Sequence, residues 1–320
     1  MSDAVLRIAV VGAGHMGAHH ARKVVELAAA GEPIALSAVA DLDVERARAV
    51  AAAHGALALA DPADVPAHAD AAIVAVPTVT HATVVLPLLR AGLDVLLEKP
   101  IAATLEDAEA MLALAARLER ILQVGHLERF NAALRKVRAR IARPRFAEVH
   151  RLGPFPGRAT DVDVVRDLMI HDLDLLQHLI GEEPSRIEAI GVPVISSEID
   201  IANARLVYPG GCVANVTASR VSGTPLRKFR LFQASGYLSI DFLEQSAVAF
   251  HRVEDGGGTP RIEMERLEID REDALLAQLR AFVAAVRTRS APAVTGEDAL
   301  CTLRTALRVV AAMPPIDELR

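Results

Sequence analysis

A chain of 320 residues that is 52% hydrophobic can fill two cores, so two domains are the expectation for this length. The formal charge of -6 and the absence of Trp argue against a nucleic-acid partner, which would need a basic face for phosphates and aromatic rings for base stacking. The two cysteines, Cys212 and Cys301, have no paired spacing, which argues against a disulfide framework or a zinc motif and fits a reducing compartment.

No charged-then-apolar leader is expected, and no apolar run reaches the roughly 20 residues a bilayer demands. The expectation is a cytoplasmic protein without a membrane partner. From Arg7 to Val124, apolar runs at 8–11, 34–39, 71–76, 93–97 and 121–124 alternate with alanine-rich helical spacers. Runs this continuous suit strands buried on both faces, and helical spacers make right-handed parallel crossovers the natural topology. Residues 1–124 therefore read as a doubly wound α/β domain.

Gly12-Ala13-Gly14-His15-Met16-Gly17 follows the first run and opens a helical stretch. The first glycine permits a tight turn, the second a close approach to a pyrophosphate, and the third close packing of helix on strand. Asp41 ends the second run, where a carboxylate accepts hydrogen bonds from an adenosine ribose and repels a 2′-phosphate, favouring NAD over NADP. It reads alternatively as a solvated cap of the next helix, a place Asp43 could also take. Pro77, Thr78 and His81 follow the run at 71–76, and Glu98 and Lys99 follow the run at 93–97. Both segments lie where open α/β sheets bind ligands. Lys99 reads equally well as a surface lysine.

Beyond Val124 the texture changes to period-two alternation at 146–150, 202–208, 213–217 and 237–242, with turn signals at Pro209-Gly210-Gly211 and Gly256-Gly257-Gly258. This pattern predicts an antiparallel sheet covered on one face, and an α+β second half. Helices are predicted over 273–289 and from 297 to about 313, the latter ended by Pro314-Pro315. A single substrate-binding and oligomerisation domain over 125–320 is expected, its closing helix a candidate to pack back on the first domain.

Within that half, Asp167, His171, Asp174 and His178 recur at i, i+4, i+7 and i+11. On a helix they form one polar stripe, beside an apolar surface of Leu168, Leu175, Leu176 and Leu179. A histidine held there can act as a general base, oriented by the carboxylate one turn back. The same stripe could face solvent or, less simply, hold a metal; no standard ligand pattern is completed, and no metal is expected.

The glycine turn, Glu98-Lys99-Pro100 and the Asp167-to-Asp174 helix, in this order and spacing, resemble the Gfo/Idh/MocA oxidoreductases over essentially the whole chain. The resemblance implies a Rossmann domain followed by a domain with a large, mostly antiparallel sheet. It also implies homodimers or homotetramers built on exposed sheet faces. Lys99, Asp167 and His171 would be the catalytic set, and the Lys99-Pro100 peptide is a candidate for the cis form. Val124 to Asn131, with His126, Arg129 and Asn131, resembles the branch that oxidises UDP-N-acetylglucosamine at C3; a related branch oxidises the corresponding uronic acid. The implied substrate is a sugar or nucleotide sugar, and a UDP-N-acetylhexosamine needs cations for its diphosphate. Arg129, Arg166, Arg220, Arg227, Lys228 and Arg230 are candidates, each of which also reads as an ordinary surface or interface charge. The alternatives are a dehydrogenase of a free sugar or inositol, and a non-catalytic NAD-binding regulator.

Overall fold

The structure, a computed structural model, describes residues 4–155, 162–253 and 261–315. It divides into two compact units, Met1–His126 with Leu275–Leu300 and Leu127–Ala274 with Cys301–Arg320.

In the first unit, strands β1 (Leu6–Val11), β2 (Ile34–Ala40), β3 (Leu57–Leu59), β4 (Ala71–Val74), β5 (Asp94–Leu97) and β6 (Leu122–Val124) form one sheet. All pairs are parallel, in the order β3-β2-β1-β4-β5-β6. Helices α1 (His15–Ala29), α2 (Val44–His54), α3 (His81–Arg90) and α4 (Leu105–Arg117) supply crossovers. The strand order reverses between β1 and β4, and a crevice beyond the carboxyl ends of such strands is where doubly wound sheets bind ligands. The interior strands are buried on both faces, as their unbroken apolar runs require: Ile8, Val10, Ile73 and Val74 have no exposed surface. In this sheet β3 alone had no counterpart in the sequence reading, being three residues long.

The second unit begins with a 3-10 turn, Leu127–Phe130, and α5 (Ala132–Val137), followed by β7 (Phe146–Leu152) and, after a π turn at Val165–Met169, α6 (Ile170–Ile180). Strands β8 (Arg186–Val192), β9 (Ile201–Val207), β10 (Val213–Ser219), β11 (Leu226–Gln233), β12 (Gly236–Asp241), β13 (Ser246–Val253) and β14 (Arg261–Leu267) come next, then α7 (Ala274–Thr288) and α8 (Gly296–Ala311). The eight strands run β14-β13-β12-β11-β7-β10-β9-β8, antiparallel throughout except for β7 beside β10. The alternation read from the sequence sends Ala147, Val149, Ala214 and Val216 into a core shared with Leu134, Val137, Leu173 and Leu176 of the helices. On the other face Phe146, Phe232, Tyr237 and Phe250 form an aromatic ladder across β7, β11, β12 and β13, with the last pair stacked at 4.0 Å. The Gly256-Gly257-Gly258 turn lies outside the described residues.

The domain limits differ from expectation at the C-terminal end. Helix α7 belongs to the first unit, where Leu279, Phe282, Val283 and Val286 join the core of Ile8, Leu27 and Ile34. From Cys301 onward α8 belongs to the second, with Ala306 and Val309 in its core. An amphipathic stripe shows that a helix needs a core but does not name the core, which is why the assignment of 125–320 to one domain needed correction. No helix among the described residues is long and apolar enough to cross a membrane.

Phe282 has no exposed surface in the first unit's core. Phe282→Ala is expected to lower unfolding stability by about 3–5 kcal/mol in urea titration, and a loss under about 1 kcal/mol would remove α7 from that core.

Candidate active site

At the end of β1 the chain turns at Gly12 with φ +93°, where a Cβ would stand 2.4 Å from the carbonyl oxygen of Ala75. A Cβ at Gly17 would fall 1.6 Å from the carbonyl oxygen of Gly12, so α1 meets the turn with no room for a side chain. At Gly14, the N-cap of α1, no atom of the described residues other than its chain neighbours comes within 4 Å of a Cβ position. Two crowded glycines thus shape the turn, while the third fronts open space at the positive end of a helix whose first turn carries no acid. His15 is exposed and Met16 half-buried beside it. This fits the pyrophosphate of a dinucleotide.

The Asp41 carboxylate accepts from the backbone N–H of Ala13 at 2.7 Å and of Asp43 at 2.8 Å. Asp43, by contrast, caps α2, accepting from the Arg46 N–H at 3.2 Å. Of the two carboxylates, therefore, Asp43 is the cap and Asp41 sits on the glycine turn, where a ribose would lie.

Beyond β4, Pro77 is exposed and Thr78 opens a 3-10 turn leading to α3. His81 is buried, with Nδ1 3.2 Å from the Ile101 carbonyl and Nε2 3.1 Å from that of Val76. Burial pulls its pKa down. A neutral ring carries one N–H and donates to only one of these carbonyls, both of its own unit; with the side chain buried between them, the expectation that it meets a cofactor is corrected.

Glu98, expected beside the cofactor, is also turned inward. Its Oε1 accepts from Nε2 of His20 at 2.7 Å, and its Oε2 takes the Lys99 N–H at 3.3 Å. Burial pushes the Glu98 carboxyl up, but His20 and the Lys99 charge outweigh it and hold the pKa below its usual value. Lys99 follows at the mouth of the strand, half-buried, with the Lys99-Pro100 peptide cis.

In the second unit Asp167 lies in the π turn and His171 in the first turn of α6, both half-buried. The π turn, an i→i+5 pattern common at functional sites, breaks the regular stripe predicted from 167 to 178. Asp174 leaves that stripe altogether: Arg129 grips it from Nε at 2.8 Å and Nη2 at 2.6 Å, with both side chains buried. On the other side of His171, Asp172 is held the same way by buried Arg151, at 2.9 and 2.8 Å, which also donates to Glu128 at 2.8 Å. Burial works against the Arg151 charge, but the two carboxylates outweigh it and raise its pKa.

These pairings correct several expected substrate contacts. Arg129 is consumed by Asp174, because a buried guanidinium without a carboxylate would be costly. Asn131 caps α5, accepting from the Ala133 N–H at 3.0 Å, and donates to the Phe242 carbonyl. Arg220 is buried against Asp200 at 2.8 Å and the Val162 carbonyl at 2.7 Å. His126 is buried at the end of the first unit. Arg166 stays partly exposed beside Asp163 at 2.5 Å, Lys228 pairs with Asp241 at 3.2 Å and Arg230 with Glu148 at 3.0 Å. Arg227 reaches Glu128 only at 3.6 Å and keeps 45% of its side chain exposed.

Sequence reasoning missed His20, Glu128, Arg151 and Asp172. Two were readable: His20 lies on the buried stripe of α1 with Ala21, Val24 and Leu27. Arg151 falls on the inward phase of β7 after Ala147 and Val149. A polar group in such a place must find a partner.

Known proteins share this architecture. The oxidoreductase family with an NAD-binding Rossmann fold matches residues 6–126, and the Gfo/Idh/MocA C-terminal domain matches 132–239. The chain is 36% identical over 286 residues to a UDP-N-acetylglucosamine 3-dehydrogenase of Acidithiobacillus ferrooxidans, covering 88% of each. It is 28% identical over 316 residues to a myo-inositol 2-dehydrogenase of Thermotoga maritima, covering 92% of each. The solved structure of the Acidithiobacillus enzyme superposes with a TM-score of 0.90 at 34% identity, over 98% of this chain and 99% of that one. With a glycine turn fit for a pyrophosphate, and likeness spanning both units, the chain belongs to the Gfo/Idh/MocA family of oxidoreductases, which use a nicotinamide cofactor.

Proposed function

We propose that the chain is an NAD-dependent dehydrogenase that oxidises a secondary hydroxyl of a nucleotide sugar, C3 of a UDP-N-acetylhexosamine. The observation that carries this reading is the 36% identity over 88% of the chain to an enzyme of that name. Inositol dehydrogenases that match over comparable length do so at 28%.

His171 is the general base that takes the hydroxyl proton, a role worth about 10²–10⁴ in rate. Asp167, in the turn before it, orients the imidazole. Lys99 donates a hydrogen bond to the same hydroxyl oxygen and stabilises the charge that develops there. The bound dinucleotide supplies the hydride acceptor. Gly12, Gly14, Gly17, His15 and Met16 hold its pyrophosphate, Pro77 and Thr78 line its approach, and Asp41 takes the ribose and disfavours a 2′-phosphate. Arg166 and Arg227 are the cations assigned to the substrate diphosphate; Lys228 and Arg230 are as exposed but alternate with core-facing Phe229 on β11, on the open face of the sheet.

A second reading has its own support. Arg129 and Arg220 are locked in buried ion pairs, which thins the cation cluster a diphosphate needs and suits a free sugar or inositol.

Copies of the chain are proposed to pair through the open face of the eight-stranded sheet. The aromatic ladder there continues into Met264, opposite Phe250 in register and 61% exposed.

Three outcomes check these assignments. Lys99→Met and His171→Ala are each expected to lower turnover of UDP-N-acetylglucosamine by about 10²-fold or more with NAD affinity retained; full activity in either removes that residue from the mechanism, and turnover of myo-inositol alone would favour the second reading. Asp41→Ser is expected to shift the NADP-to-NAD preference by about tenfold or more, equivalent to roughly 1.4 kcal/mol, and an unchanged ratio in steady-state kinetics would leave Asp41 as a brace of the glycine turn only. Phe232→Glu with Met264→Glu is expected to yield monomers by light scattering, and an unaltered mass would place the interface elsewhere.

A further inference from the structure

We infer that His20 is a positioning residue for Lys99, acting through Glu98. The inference rests on Lys99 being catalytic, as proposed above, and on geometry confined to the first unit.

His20 lies on α1 one turn beyond Gly17 and has no exposed surface. Its Nε2 stands 2.7 Å from Glu98 Oε1. An ionised carboxylate only accepts, so Nε2 carries the hydrogen. The other ring nitrogen, Nδ1, has no hydrogen-bond partner among the described residues, and a proton there would be a buried donor with nothing to bond. The ring therefore makes one bond, and that bond is aimed at the residue before Lys99.

Glu98 is held on its remaining sides. Its N–H donates to the Val74 carbonyl at 2.9 Å, which fixes its backbone to β4. Gly125 forms the wall of its seat, since a Cβ there would stand 3.2 Å from Glu98 Oε2. That same oxygen takes the Lys99 N–H at 3.3 Å. Imidazole, carboxylate and amide thus form a line from the cofactor-binding helix to the backbone of Lys99. Nothing in this line requires the histidine to touch substrate or cofactor. Its consequence is that the seat of the Lys99 main chain is set from α1, the helix whose N-terminus fits the pyrophosphate. A displacement of about 1 Å in a catalytic group can cost on the order of 10²-fold in rate.

The chain has only four lysines, Lys23, Lys99, Lys136 and Lys228, so reductive ¹³C-methylation of the full-length protein gives a readable lysine spectrum, with Lys99 assigned by its loss in Lys99→Met. In His20→Leu the Lys99 resonance is expected to move while those of Lys136 and Lys228 stay. NAD affinity should hold within about threefold, while kcat falls on the order of 10–100-fold. His20→Gln, which keeps a donor near the place of Nε2, should recover most of both effects. Should His20→Leu fail to fold, Glu98→Gln, which keeps the shape and removes the charge, is read in the same way. The inference is overturned by an unmoved Lys99 resonance, by NAD affinity falling as far as kcat, or by a glutamine variant as impaired as the leucine one. A moved resonance with unchanged kcat supports the link from His20 to Lys99 and instead sinks the catalytic role of Lys99. The spectrum needs no substrate, so a wrong substrate assignment leaves this test intact.

Discussion

The contact on which the first unit depends is between two backbone segments. Helix α1 crosses the turn at the end of β1 so closely that any Cβ at Gly17 would overlap the Gly12 carbonyl. That approach turns the stripe of Ala21, Val24 and Leu27 onto the sheet and leaves the amides at the start of α1 facing open space at Gly14. Asp41 can brace the turn from β2 only because the turn is this tight, and His20 reaches Glu98 only because α1 lies this near the sheet. Anion binding at a helix N-terminus and the seating of a residue at the end of β5 are two results of one steric requirement.

The second unit is organised around charge. Asp172 and Asp174, on either side of Leu173, are each held by a buried arginine in a two-point grip. Two-point pairing of a planar guanidinium with a carboxylate fixes orientation as well as distance. Such pairs are weak evidence of net stability, because desolvation of both ions offsets most of their attraction. Their effect here is geometric: Arg151 comes from β7 and Arg129 from the turn before α5, so α6 is held in rotation and height from two sides. His171, next to Asp172, stays half-buried where a helix held only by leucines could slip or turn.

The same pairings limit what the unit can offer to a ligand. A basic residue count overstates the cations open to an anionic substrate, since Arg129, Arg151 and Arg220 are all committed to buried carboxylates. Arg227 is in register with Arg151 on the adjacent strand, and Glu128 stands between the two guanidinium groups. One acid therefore serves a wholly buried cation and a partly exposed one. The fold is common to relatives named for a nucleotide sugar and for inositol, so it does not by itself separate the two.

The amino-acid sequence by itself determined the parallel sheet, the antiparallel sheet and the place of the glycine turn. These follow from local patterns: unbroken apolar runs, period-two alternation, and glycines between a strand and a helix. It also singled out Asp41, Lys99, Asp167 and His171 as candidates, because their neighbours in sequence mark strand ends or a helix. Tertiary structure alone decided what the remaining polar groups do. Arg129 and Asn131 sit in a motif-like stretch, yet their partners, Asp174 and the Phe242 carbonyl, lie 45 and 111 residues away. Glu98 pairs with His20, 78 residues upstream, and α7 joins the first unit although the whole of β7–β14 intervenes in sequence. Periodicity tells a side chain which way to face and that a buried charge must be matched; which distant residue matches it is settled only when the elements pack.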